Sequence, residues 1–232
     1  IPPGSDIHLT LDTSIQHIAE KELEASIVKY RAKAGVAIVV DPHTGEVLAL
    51  ANYPSFDPNH YAQQSAAQKR NRAVTDSFEP GSTFKTILAA TALEEEVVGK
   101  EDLFYCEMGK YPFAGKIIHD THPQGWLSFA KILQVSSNIG FTKIAVKVKK
   151  ERYFKYIEKF GFGKVTGIDV PGEVPGLLRR VENWAAIDLA THAFGQGIST
   201  TPMQLVMAYA AIANGGILMR PFVTRRIISP NG

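Results

Sequence analysis

The residues best placed to do covalent chemistry in this chain are serines with a lysine three positions on. On a helix that spacing puts the amine one turn from the hydroxyl on the same face, as a serine requires if a lysine is to take its proton. Twelve serines and sixteen lysines in 232 residues would produce about one such match by composition alone. Three occur: Ser26-Ile27-Val28-Lys29, Ser82-Thr83-Phe84-Lys85 and Ser128-Phe129-Ala130-Lys131. Context separates them. Ser26 falls near the wet face of a charged amphipathic stretch, and Ser128 suits a helix N-cap followed by a surface lysine. Ser82 follows Pro80-Gly81, a turn signal, and should stand in the first turn of a helix, where free N–H groups and the positive dipole end could support an oxyanion. Lys85 sits among Phe84, Ile87, Leu88, Ala89 and Ala90, and burial there would lower its pKa toward that of a general base. On this context alone Ser82 serves as well for an N-cap as for a nucleophile.

A second cluster weighs on that choice. Ser136-Ser137-Asn138 breaks two apolar helical stretches at a point where packing would prefer Leu or Ala. A hydroxyl at Ser136 could relay a proton between Lys85 and a leaving group, and the Asn138 amide can both accept from an ammonium and donate to a carbonyl. The plainer reading is a polar helix junction capped by Asn138. His119-Asp120-Thr121-His122 with Cys106 has metal-ligand residue types, but its spacing is that of a turn, so no metal is expected. Trp126 and Trp184 are expected in the core or docking helices, and Arg179-Arg180 and Arg225-Arg226 facing solvent.

These groups need elements to hold them. Ile7, Leu9 and Leu11 alternate with polar residues as in a half-buried strand, and Thr13 with Gln16 predicts a capping box for an amphipathic helix ending near Ala34-Gly35. Val36 to Val40 and Glu46 to Ala51 flank Asp41-Pro42-His43-Thr44-Gly45 and predict a hairpin. Residues 52–66 read as a polar loop. Helical patterns cover Phe84 to Glu96, Leu127 to Val135, Ile139 to Val148, Arg152 to Phe160, Trp184 to Phe194 and Met203 to Asn214, with few strand signals between them. Gly161 to Gly176 reads as irregular loop and Ile217 to Ile228 as extended. The expectation is one α+β domain over residues 1–232, with 82–216 as its mainly helical part and a sheet only partly present.

Composition excludes several classes. Hydrophobic residues make up 45% and charged residues 21% of the chain, which is ordinary for a globular domain and unlike a disordered or coiled-coil one. A net charge of +2, with basic residues spread along the chain, argues against nucleic acid as a partner. Apolar runs such as Ala34 to Val40 are far below the ~20 residues of a membrane span. The one cysteine, Cys106, has no internal disulfide partner. Ile1-Pro2-Pro3-Gly4 and Ser229-Pro230-Asn231-Gly232 read as turn chemistry at the ends of a piece of a longer protein, with any membrane anchor outside it.

Taken together, the motifs resemble the penicillin-binding proteins, specifically the transpeptidase domain of the monofunctional class B type that works in bacterial division and elongation. Ser-x-x-Lys, Ser-x-Asn and Lys-Thr-Gly form the known signature of these proteins and of class A β-lactamases. The resemblance runs through His8-Leu9-Thr10-Leu11-Asp12 with Gln16, Val36 to Asn52, Asn71-Arg72-Ala73 and Phe78-Glu79-Pro80-Gly81-Ser82-Thr83-Phe84-Lys85. It continues through Ser136-Ser137-Asn138, Phe160 to Gly172, Phe194-Gly195-Gln196-Gly197 and Thr201-Pro202-Met203-Gln204. It implies the serine β-lactamase and penicillin-binding transpeptidase fold, an antiparallel sheet with a large helical subdomain. It also implies acylation of Ser82 by the D-Ala-D-Ala end of a peptidoglycan stem peptide, with Lys85 as base, Ser136 as proton relay and Asn138 as positioning group, and with neither metal nor organic cofactor needed. β-Lactam antibiotics would acylate the same serine, cell-wall synthesis proteins would be partners, and the domain would face the periplasm, anchored to the cytoplasmic membrane by a segment outside this sequence.

The sequence departs from the family in one respect. No Lys-Thr-Gly or Lys-Ser-Gly occurs, and Gly163-Lys164-Val165-Thr166-Gly167 approximates it only by letters. The motif, with one oxyanion donor, is therefore expected past Gly232, together with the strands that would complete the sheet. Two other uses of the same fold stay open: a non-catalytic scaffold or β-lactam-sensing domain, and a serine β-lactamase, for which no residue stands out as a deacylating base.

Overall fold

A computed structural model describes residues 4–230; Ile1 to Pro3 and the Asn231-Gly232 end of the expected terminal turn lie outside the described residues. In chain order the elements are β1 (Asp6–Leu9), α1 (Thr13–Tyr30), β2 (Gly35–Val40), β3 (Val47–Tyr53), α2 (Ala66–Lys69), α3 (Arg72–Thr75), α4 (Lys85–Glu94), β4 (Leu103–Tyr105), β5 (Lys110–Phe113), β6 (Lys116–His119), β7 (Trp126–Ser128), α5 (Phe129–Val135), α6 (Asn138–Val148), α7 (Lys150–Lys159), α8 (Ala186–Ala193), α9 (Pro202–Ala213) and β8 (Thr224–Ile228). They fall into two compact units, one of residues 1–77, 164–175 and 201–232, the other of residues 78–163 and 176–200. α9 therefore groups with the first unit, although it lies inside the stretch 82–216.

In the first unit the expected hairpin is present as antiparallel β2–β3, from Gly35 opposite Tyr53 to Val40 opposite Val47. α1 begins differently from the sequence expectation. Asp12, not Thr13, is its N-cap, accepting from Ser14 N at 2.9 Å and Ile15 N at 3.0 Å. Gln16 is thereby released from any capping role and extends the hydrogen bonding of β3, accepting from Leu50 N at 2.7 Å and donating to Leu50 O at 3.3 Å. The helix also stops earlier, because Arg31 turns left-handed (φ 52°) and closes the last turn, leaving Gly35 to open β2. β1 pairs antiparallel with β8, but Ile7 and Leu9 are exposed rather than half-buried. The buried cluster lies elsewhere, among Val47, Ala73, Val74, Ile168, Met203, Met207 and Ala210. Gln204 in α9 ties the irregular segment to it, its amide donating to Lys164 O at 2.7 Å and Pro175 O at 2.9 Å. Within residues 52–66, read as loop, β3 runs on to Tyr53 and a 3-10 turn spans Pro58–Gln63.

The second unit packs α4, α6, α7 and α8 around apolar side chains that include Phe84, Ile87, Leu88, Phe141, Ile144, Tyr153, Ile157 and Phe162, all fully buried. The Phe84 ring meets Phe162 edge-on at 4.9 Å between centroids. Residues 103–128 hold more strand than the sequence suggested: β4 pairs with β7 and β5 with β6, both antiparallel. Runs of three or four residues are too short to show alternation. Trp126, expected in the core or docking a helix, is 67% exposed on β7 against the Tyr105 ring, whereas Trp184 is buried with its indole N–H on Arg179 O at 3.0 Å.

Candidate active site

Ser82 stands in a 3-10 turn, Gly81–Phe84, that runs directly into α4. The turn exists because Pro80 and Gly81 (φ 57°) break the incoming chain, and Thr83 Oγ1 fastens it by donating to Pro80 O at 2.7 Å. Ser82 is exposed, and Lys85, one turn on, is 1% exposed. The apolar residues that follow Lys85 carry α4 into the core and take the lysine stem with them. The segment before Ser82 is braced by residues 195–200. Phe78 pairs with Thr200, Glu79 Oε1 accepts from Gly197 N at 2.9 Å, and Gly81 N donates to Gly195 O at 3.0 Å.

The second serine cluster arrives from the α5–α6 junction. Ser136 is the left-handed C-cap of α5 (φ 58°) and Ser137 is the N-cap of α6, its hydroxyl accepting from Gly140 N at 2.9 Å. Ser137, not Asn138, is thus the helix cap, which frees the Asn138 side chain. Lys85 Nζ gathers the group: it lies 2.6 Å from Ser136 O, 2.7 Å from Asn138 Oδ1, 2.9 Å from Ser136 Oγ and 3.2 Å from Ser82 Oγ. The four residues singled out in the sequence are brought together around one nitrogen. Ser128 caps α5 through Lys131 N at 3.2 Å, and Ser26 lies within α1 in the other unit.

Valence decides what this arrangement can do. Ser136 O and Asn138 Oδ1 can only accept, so a neutral Lys85 commits both of its N–H groups to them and turns its lone pair toward a hydroxyl, that of Ser82 or Ser136. An ammonium places its third proton on a hydroxyl instead. Burial pushes the Lys85 pKa down to about 8, with the charge of Asp120 opposing that shift. At neutral pH roughly one molecule in ten then holds the free amine.

In the sequence Asp120 is only part of a turn with metal-ligand residue types. One of its oxygens accepts from Ser137 Oγ at 2.6 Å and the other from Ile139 N at 3.0 Å. The neighbouring His119 O accepts from Asn138 Nδ2 at 3.0 Å. The end of β6 thereby holds both Ser137 and Asn138 in place. The sequence carries no signal for this, because the carboxylate caps a helix that begins eighteen residues later. A cleft lined by Asp120, Thr121, His122, Gln124, Val135, Ser136 and Ser137 opens beside Ser136.

Residues 35–230 match a family model described as the penicillin binding protein transpeptidase domain. Stage V sporulation protein D of Bacillus subtilis is 40% identical over 235 residues, covering 99% of this chain and 36% of that protein. Peptidoglycan D,D-transpeptidase FtsI of Escherichia coli is 36% identical over 225 residues, covering 97% of this chain and 38% of that protein. Among solved structures, penicillin binding protein 3 of Mycobacterium tuberculosis complexed with aztreonam superposes with a TM-score of 0.94 at 33% identity, over 99% of this chain and 52% of that one. The TP domain of Burkholderia pseudomallei penicillin-binding protein 3 superposes with a TM-score of 0.86 at 36% identity, over 99% and 66%. The chain spans less than two-fifths of the length of these two curated relatives.

Proposed function

Because the chain belongs to the penicillin-binding protein transpeptidase family, in its class B branch, we propose that the protein containing it is a serine D,D-transpeptidase that cross-links peptidoglycan through an acyl-enzyme on Ser82. The observation that carries the reading is the buried Lys85 amine, held by two obligate acceptors beneath an exposed Ser82 hydroxyl. Ser82 Oγ attacks the carbonyl of the penultimate D-Ala of a stem peptide while its proton passes to Lys85. As the tetrahedral intermediate collapses, Ser136 Oγ hands a proton to the departing D-Ala amine and is resupplied from Lys85, leaving the ester on Ser82. An amine of a second stem peptide then attacks the ester. Its surplus proton returns through Lys85 to Ser82 Oγ, which leaves. Asn138, its Oδ1 on Lys85 and its Nδ2 on His119 O, keeps the base in line.

β-Lactams would acylate Ser82 by the same first step. The reaction belongs on the outer face of the cytoplasmic membrane, alongside other cell-wall synthesis proteins, with anchoring by a segment outside this sequence. Among the described residues no helix is long and apolar enough to cross a membrane. Alkaline phosphatase fused behind the domain in the full reading frame tests this, and an inactive fusion contradicts it.

The central test is labelling of the full-length protein with a fluorescent penicillin, followed by intact mass. One label per chain is expected in the wild type and none in Ser82→Ala with an unchanged melt; labelling that survives Ser82→Ala refutes the assignment. Release of product from a depsipeptide donor beyond one equivalent separates a catalyst from a sensor that stays acylated.

A further inference from the structure

Outside the Lys85 cluster, the second unit holds one buried histidine whose ring is only half satisfied. His192, in α8, is fully buried, with its ring stacked on the Trp184 indole at 4.2 Å between centroids. Its Nδ1 lies 2.6 Å from Asp188 O, and a carbonyl only accepts, so Nδ1 carries the hydrogen and Nε2 the lone pair. That Nε2 is buried and has no hydrogen-bond partner among the described residues.

The same residue underlies the turn that braces Ser82. The His192 carbonyl accepts from Gly195 N at 3.1 Å and from Tyr153 OH at 3.1 Å. A Cβ on Gly197 would stand 3.4 Å from His192 Cε1, so the turn passes beside the ring. From that turn Gly195 O holds Gly81 N at 3.0 Å and Gly197 N holds Glu79 Oε1 at 2.9 Å. Hydrogen bonds thus run from the His192 carbonyl through this turn to the residues on either side of Pro80, directly before Ser82.

We propose that His192 is a positioning residue for Ser82 that works only with a neutral ring, so that one proton on Nε2 loosens the Gly195–Gly197 turn and suppresses acylation. The proposal rests on the transpeptidase reading above. Protonation would place an N–H at Nε2 with nothing to accept it and a charge inside the aromatic stack. The charged groups that act on the ring are Asp188, Arg179 and Glu79, and the Tyr153 hydroxyl on α7 meets the His192 carbonyl instead. Asp188 already serves Arg179 and Ala185 N, each at 2.9 Å. Glu79, whose Oε1 holds Gly197 N at 2.9 Å, is the remaining carboxylate that feels the ring, so a charge on the imidazole pulls on a partner of the turn. Burial outweighs these carboxylates and holds the His192 pKa below the ordinary histidine value.

The test is the second-order rate of acylation of the full-length protein by a fluorescent penicillin from pH 4.5 to 9, with circular dichroism recorded at each pH to show that the fold persists. Loss of the Lys85 free amine alone makes the rate fall about tenfold per pH unit below pH 8, and a second required neutral group makes it fall about a hundredfold per unit once its own pKa is passed. The steeper limb is expected in the wild type and is expected to vanish in His192→Gln and His192→Phe, which retain only the tenfold slope. A merely structural role would lower the rate by one constant factor at every pH. A wild-type slope of tenfold per unit throughout, or a steep limb that survives in both variants, overturns the proposal. If neither variant folds, the midpoint of the steep limb is compared with the titration of the His192 ring followed by NMR in the full-length wild type, and a mismatch overturns the proposal. No acylation of the wild type at any pH would instead overturn the transpeptidase reading, and this inference with it.

Discussion

Replacing Gly195 by alanine should damage acylation far more than it damages the fold. A Cβ there would stand 2.7 Å from both the nitrogen and the carbonyl carbon of Gly81, and closer still to its oxygen, where ordinary contact begins near 3.4 Å. All three atoms are backbone, so no side chain can swing aside and the Gly81 segment must retreat by roughly 0.7 Å or more. A misplacement of about 1 Å at a reacting group costs about 100-fold in rate, so a loss of 10- to 100-fold in the penicillin acylation rate is expected. Holding alanine at the Gly195 φ of 75° adds about 1–2 kcal/mol and the overpacking about 1–3 kcal/mol. The melting temperature should therefore fall as well. Gly81→Ala is the control: its Cβ meets open space and only the backbone strain at φ 57° remains, so its melt should fall less and its rate should change less. Acylation rates measured on full-length variants, scaled to the folded fraction by circular dichroism, make the comparison. A Gly195→Ala protein that acylates within threefold of wild type would refute the claim that this turn sets the position of Ser82.

Other consequences follow from the electrostatics of Lys85. Acylation should rise with pH to a plateau above about pH 8, and Lys85→Arg, which cannot lose its proton, should abolish it at every pH. Asp120→Asn removes a charge that raises the Lys85 pKa, so the midpoint of that rise should move to lower pH; a midpoint that stays put or moves up would contradict the assignment. The same shift couples to stability. The folded Lys85 pKa is below its unfolded value, the unfolded chain binds the extra proton between them, and stability should therefore increase from about pH 8 to about pH 10.5. The gain, on the order of 3 kcal/mol by that shift, would appear as a growing stability of wild type relative to Lys85→Met in denaturant melts across that window.

Much of the architecture was legible from local chemistry. The β2–β3 hairpin declares itself through a turn sequence between two β-branched runs, and α4 through α9 through apolar spacing that local sequence records directly. Ser82 with Lys85 is local too, because a helix converts three residues of spacing into one face. Ser136-Ser137-Asn138 is legible as a polar interruption needing a reason, and its pairing with Lys85 rests on side-chain chemistry, reinforced by the family pattern, rather than on any rule of spacing. Other features were decided only in three dimensions. Gln16 looked like a cap and instead extends β3, since its partner Leu50 lies thirty-four residues away. Trp126 looked like a core residue and is exposed, since burial depends on what packs against a strand. Asp120 and the Gly195 turn could not be read as supports of the site, because hydrogen bonds between segments far apart in sequence leave no period behind. The chemical groups are a property of the sequence, but the low pKa of Lys85 and the clamp on Gly81 arise only where folding removes water and brings distant backbone into contact.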